Sequence, residues 1–148
     1  MIKPDGVQRR LVGRLVSRFE EKGLRIAGMR LLRISSRQAS ELYAVHKRKP
    51  FYGGLVRFMT SSPVVVMVLE GHRAVSVVRA MLGATRGFDA EPGTIRGDFG
   101  GSERFNLAHG SDGPESARRE IGIFFKGADL AGGEPVDLPW IYQESERK

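Results

Sequence analysis

The sequence predicts an α+β fold, an α/β sandwich in which a mainly antiparallel four-stranded sheet is covered by helices, with residues 1–148 as one domain. Three observations carry this reading. Apolar residues recur at strand and helix periods in the order strand, helix, strand, helices, strand, helix, loop, strand, helix. The run Val64-Val65-Val66-Met67-Val68-Leu69 is continuously apolar, as in a strand buried on both faces. No internal repeat, low-complexity tract or linker divides the chain.

Residues 1–3 read as a strand end running into the turn Pro4-Asp5-Gly6. Leu11, Val12, Leu15, Val16 and Phe19 share one helical face, so a helix is expected over 11–22, stopped by Gly23. Residues 24–34 form the next strand, with a bulge near Gly28 where the alternation is lost. Ser35 followed by Gln38 is a capping box, opening a helix with Ala39, Leu42, Tyr43 and His46 on one face. Pro50 breaks it, and Phe51, Leu55, Phe58 and Met59 outline a short further helix. The buried strand 64–69 leads to a helix over 73–82 that ends at Gly83. From 85 to about 104 the chain is glycine-rich and loop-like, a length that points to function. A short strand at 105–108, a helix over about 115–125 and an irregular tail from 132 complete the chain. Trp140 and Tyr142 are expected to pin that tail to the body or to a neighbouring subunit. This order matches a ferredoxin-like β-α-β sandwich.

An apolar fraction of 41% and a charged fraction of 28% are those of a globular domain. No apolar run is long enough to span a bilayer, the opening Met1-Ile2-Lys3-Pro4 lacks a signal-peptide pattern, and there is no cysteine. A cytoplasmic protein without membrane contact is the expectation. The net charge of +7 predicts attraction to polyanions, whether nucleic acid or polyphosphate.

The richest stretch is Asn106-Leu107-Ala108-His109-Gly110-Ser111-Asp112, which holds the sole asparagine, a possible nucleophile, a hydroxyl and a carboxylate. Gly113-Pro114-Glu115 behind it reads as a helix start, which places His109 near a dipole end that favours anions. On that helix Ala117, Ile121 and Phe124 share the face to be buried, and Glu120 lies beside them. Glu120 either sits in water at the edge of the stripe or pairs with His109 and stabilises an imidazolium. Lys3, Arg79, Thr85 and Arg96 could neutralise a triphosphate, although each taken singly reads as a surface group. Phe51 is either a base platform or a core residue. No Gly-Lys dipeptide exists, so a P-loop is excluded, and the three histidines lack zinc-ligand spacing.

Three separated stretches, Lys3-Pro4-Asp5-Gly6-Val7-Gln8-Arg9, Pro92-Gly93-Thr94-Ile95-Arg96-Gly97-Asp98-Phe99 and Asn106 to Asp112, together resemble the nucleoside diphosphate kinase family. The likeness runs from Ile2 to at least Trp140. It implies a ferredoxin-like fold and a ping-pong phosphotransferase carrying the γ-phosphoryl from a nucleoside triphosphate, typically ATP, to a nucleoside diphosphate. It casts His109 as the nucleophile, phosphorylated on Nδ1, with Glu120 orienting the ring and Ser111 and Tyr43 fixing the local geometry. Lys3, Arg79, Thr85 and Arg96 would grip phosphates, and Lys3 and Asn106 would also reach the sugar. Phe51 would stack on the base with Leu55 beside it, so that all bases are accepted. Mg2+ would bridge the phosphates, touched by Asp112 through water alone. The resemblance also implies a homo-oligomer, and the tail after Trp140 favours a hexamer over a tetramer. The alternative from another class is a basic module that binds nucleic acid or a protein.

Departures from the family pattern accompany the likeness. The first strand is expected to be short or frayed, because the chain opens almost at Lys3. Glu103 stands near the base in place of an apolar residue, Gly87 where a proline is common, and Phe105 where an arginine is common.

Overall fold

A computed structural model of the chain describes residues 1–133 and 135–147. Its central ladder pairs β1 (Arg25–Leu32) antiparallel with β2 (Val64–Glu70), in register from Arg25 opposite Glu70 to Leu32 opposite Val64. The expected bulge is present: the register shifts between Ile26 and Gly28, leaving Ala27 as the extra residue. On its other side β2 meets Ile2, which forms one antiparallel bridge to Val65 and another to Ala108. The order across the sheet is therefore β1, β2, Ile2, Ala108.

The expected first and fourth strands are thus reduced to single bridges. Pro4 ends the first by starting α1 (Pro4–Gln8), where a turn was expected. Proline at the first helical positions gives up no needed N–H, and Asp5 suits the positive end of the helix. The fourth is cut short by Leu107, whose φ of 72° turns the backbone sharply.

β2 is buried on both faces as its composition requires. Val64, Val66 and Val68 join one apolar cluster with Leu42, Met59 and Phe124. Val65 joins the opposite cluster with Ile2, Leu15, Phe19, Leu82 and Leu107. The covering helices are α2 (Val12–Glu21), α3 (Ser36–Leu42), α4 (Tyr52–Thr60), α5 (Ala74–Leu82) and α7 (Pro114–Phe124), with the short α6 (Ile95–Phe99) between the last two. Gly23, at φ 84°, ends the α2 turn in the left-handed region that glycine adopts freely. Ser35 and Gln38 form the expected reciprocal cap on α3.

Three expectations need correction. His46 is not on α3, because Tyr43 leaves helical geometry (φ −102°, ψ 24°) and residues Ala44–His46 form a separate 3-10 turn. The 85–104 segment is not plain loop: it holds a 3-10 turn (Gly87–Asp89) and α6, capped by Thr94, whose hydroxyl accepts from the Gly97 amide at 3.0 Å. A Cβ at Gly97 would collide with the Glu91 carbonyl, so glycine lets this segment fold back on itself. The tail carries the short helix α8 (Leu138–Ile141). Tyr142 does pin it, donating to the Gly23 carbonyl at 3.3 Å, but Trp140 is 91% exposed and touches little of the body.

Candidate active site

The site grows from the short bridge that joins Ile2 to Ala108. The Lys3 amide donates to the Leu107 carbonyl at 2.8 Å, and the His109 amide donates to the Met1 carbonyl at 2.8 Å. The Met1 amino group returns a bond to the His109 carbonyl at 2.8 Å; burial holds that amine down at about 6. Asp5, at the start of α1, accepts from the Leu107 amide at 2.9 Å and supports the left-handed turn. These bonds fix the His109 backbone on the sheet while its ring reaches toward α7.

There Glu120 meets it. His109 Nε2 and Glu120 Oε2 are 2.8 Å apart, and the Ser111 hydroxyl donates to the same oxygen at 2.8 Å. Arg119 donates to the other carboxylate oxygen at 3.3 Å. Burial works against the Glu120 charge, yet the bonds from His109 and Ser111, with Arg119 nearby, outweigh it and hold the carboxyl below its usual range. An ionised carboxylate can only accept, so Nε2 carries the proton and Nδ1 keeps a lone pair. Burial also pushes His109 below the usual imidazole value; the Glu120 bond opposes that shift, and the Met1 amine adds to it. The neutral ring is the favoured form. Tyr43 packs edge-on against it, with centroids 5.5 Å apart at 77°. The Tyr43 hydroxyl is buried, has no hydrogen-bond partner among the described residues, and is pushed up by burial and by Glu120.

Beside the imidazole is a wall of cations and amides. Lys3 is 6% exposed, and its ammonium donates to Asn106 Oδ1 at 2.7 Å and to the Arg104 carbonyl at 3.2 Å. Burial lowers it to about 8; Asp5 resists the shift and Arg96 reinforces it. The Asn106 amide donates to the carbonyls of Thr85 and Glu103, both at 2.8 Å, tying the wall to the glycine-rich segment. Arg79, near the end of α5, is exposed, and its charge reaches both Arg96 and Asp112. Thr85 is also exposed.

Arg96 is also held by the backbone. Its guanidinium donates to the carbonyls of Asn106 (3.2 Å), Gly83 (2.9 Å) and Ala108 (2.7 Å), so it clamps the loop to the sheet. Sequence reasoning passed over this because carbonyl acceptors have no residue type to read. It also missed Asp5, whose signal was its place between Pro4 and Gly6 in a matching stretch.

Phe51 is the N-cap of α4, and Leu55 lies one turn into that helix. Phe51 is 46% exposed, near the His46 ring at 5.6 Å, which suits a platform better than a core position. A mainly apolar cavity of about 130 Å³ borders His109, Ser111 and Glu120, against α5 and α7. None of the wall's cations lines it.

Among the described residues no group of three or more His, Asp or Glu could cage a metal. Asp112 is exposed, and its charge interacts with His109 and Arg79. That donor set fits a hard cation held mainly by substrate phosphates. Among the described residues, no helix is long and apolar enough to cross a membrane.

Known proteins resemble this chain over nearly its full length. The family model "Nucleoside diphosphate kinase" matches residues 1–130. The nucleoside diphosphate kinase of Halalkalibacterium halodurans is 53% identical over 141 residues, covering 95% of this chain and 96% of that one. That of Microcystis aeruginosa is 51% identical over 143 residues, covering 97% and 96%. Among solved structures, a halophilic nucleoside diphosphate kinase from Halobacterium salinarum in complex with CDP superposes with a TM-score of 0.93 at 47% identity, covering 96% of this chain and 95% of that one.

Proposed function

The chain belongs to the nucleoside diphosphate kinase family, whose members transfer the terminal phosphate of a nucleoside triphosphate to a nucleoside diphosphate, and we propose that His109 is the residue that carries it here. The observation that bears most weight is the 2.8 Å contact between His109 Nε2 and Glu120. With Nε2–H held by a carboxylate, Nδ1 has the free lone pair, and a neutral ring is a nucleophile at neutral pH.

The first half-reaction follows. The Nδ1 lone pair attacks the γ-phosphorus of ATP, the bond to the bridging oxygen breaks, and the electron pair leaves with ADP. The ring gains positive charge as the N–P bond forms, and Glu120 stabilises it through Nε2–H. ADP departs, a second diphosphate enters, and its terminal β-oxygen attacks the same phosphorus, returning the electron pair to Nδ1. Ser111 and Tyr43 hold Glu120 and the imidazole in place for both steps. Arg79, Lys3 and Thr85 bind phosphate oxygens, and Lys3 and Asn106 reach the sugar. Arg96 keeps this wall assembled and faces the phosphates only with the donors its carbonyl bonds leave free. Phe51 and Leu55 hold the base by stacking, which tolerates every base.

Members of the family require a divalent metal; Mg2+ fits this site, where the nucleotide phosphates would hold it with Asp112 nearby. When bound, it would neutralise charge on the transferring group. The enzyme works as a homo-oligomer, a hexamer in preference to a tetramer, which light scattering checks. The absence of cysteine suits a cytoplasmic setting.

Incubation with γ-labelled ATP is expected to give an acid-labile, base-stable phosphoenzyme that discharges on adding any nucleoside diphosphate. Equal labelling of a His109→Ala variant would overturn the assignment.

A further inference from the structure

One charged residue bonded to Lys3 has no role in the scheme above. Arg104 lies between Glu103 and Phe105, and its carbonyl already accepts from Lys3 at 3.2 Å. Its guanidinium rests on Gly54: the terminal nitrogens and the central carbon lie 3.1–3.5 Å from where a Cβ of residue 54 would stand. The guanidinium is thus packed against the helix at that point. The absence of a side chain at Gly54 provides the seat. Among the described residues, no carboxylate pairs with this guanidinium; the neighbouring Glu103 faces Arg86 instead, at 3.7 Å.

Phe51, Gly54 and Leu55 are three and four residues apart at the start of α4, and this spacing puts them on one face. The guanidinium on Gly54 therefore stands on the same helix face as Phe51, one turn further along. We propose that Arg104 is the second half of the base-binding floor and makes the enzyme favour purine over pyrimidine nucleotides. This rests on the reading of Phe51 as the base platform. A pyrimidine covers the Phe51 ring alone. The bicyclic purine reaches past it and stacks on the guanidinium as well, adding a cation–π contact at an exposed site. Lysine cannot replace it, because an ammonium has no flat face.

The test measures kcat/KM for ADP, GDP, CDP and UDP as phosphate acceptors, with the phosphoenzyme as donor, in wild type, Arg104→Ala, Arg104→Lys and Phe51→Ala. The expected result is a loss of about threefold to fivefold for ADP and GDP in Arg104→Ala, with CDP and UDP changed less than about twofold. Arg104→Lys should resemble the alanine variant, and the loss should appear in KM with kcat kept. An equal loss for all four acceptors would mean general attraction to phosphate and would overturn the proposal, as would no loss. Phe51→Ala tests the underlying platform separately. It should weaken all four acceptors, and if it weakens none while Arg104→Ala still separates purines from pyrimidines, the platform reading fails and the Arg104 contact stands.

Discussion

Glu120 Oε2 stands 2.8 Å from His109 Nε2, and the two residues come from different elements: a turn tied to the sheet and the middle of α7. The ring's orientation is therefore set by tertiary packing, and removing the carboxylate releases it. Glu120→Ala is expected to slow phosphoenzyme formation by about 10- to 100-fold, with a smaller loss for Glu120→Gln, which keeps an acceptor oxygen. Rapid-quench labelling with ATP measures both, and a glutamine variant as slow as the alanine one would argue for charge over orientation.

The imidazole reacts when neutral, and burial lowers its proton affinity. The rate of phosphoenzyme formation should stay level as pH falls through the ordinary histidine range and drop only below it. Ring titration by NMR should show the same displaced midpoint. A midpoint at or above the ordinary value would mean that the Glu120 bond outweighs burial.

Lys3, lowered to about 8 by burial, predicts a second pH dependence with opposite effects on binding and stability. As pH rises through about 8 the ammonium loses its proton and its hold on the nucleotide, so the acceptor KM should increase. Stability should move the other way. The unfolded chain keeps the lysine protonated up to its ordinary value of about 10.5, so between the two values it binds more protons than the folded chain. The cost of burying the charge is full below about 8 and is relieved as pH climbs through that window. Urea titrations of wild type and Lys3→Met across this range check the sign, since the methionine variant should lack the rise.

Arg96 holds three backbone carbonyls at once. Arg96→Ala should leave them short of donors and lower stability by about 3 kcal/mol. Arg96→Lys should recover little of that, because one ammonium cannot reproduce a planar fork. Thermal melts give the answer; a loss of activity at unchanged stability would instead make Arg96 chiefly a ligand-binding residue.

Much of the molecule was readable in the chain itself. Local signals are enough wherever a residue type has one dominant use: the Ser35–Gln38 cap, proline opening α7, and the apolar run of β2 all appear as expected. The bulge at Ala27 followed from broken alternation. His109 and its neighbours were marked by the density of reactive groups and by their likeness to a known family.

Folding alone decided the matters that depend on backbone partners or on distance. Whether Glu120 faced water or the imidazole was open from helical spacing, and it closed only when the turn at Leu107 brought His109 over α7. The outer strands were overestimated, because how far a strand pairs depends on what lies alongside it. Arg96 gained three backbone carbonyls as partners, and Arg104 a seat on Gly54, for the same reason. Sequence names the groups that can bond, but carbonyl oxygens and empty glycine surfaces are common to every chain, and only the tertiary structure selects which of them each side chain meets.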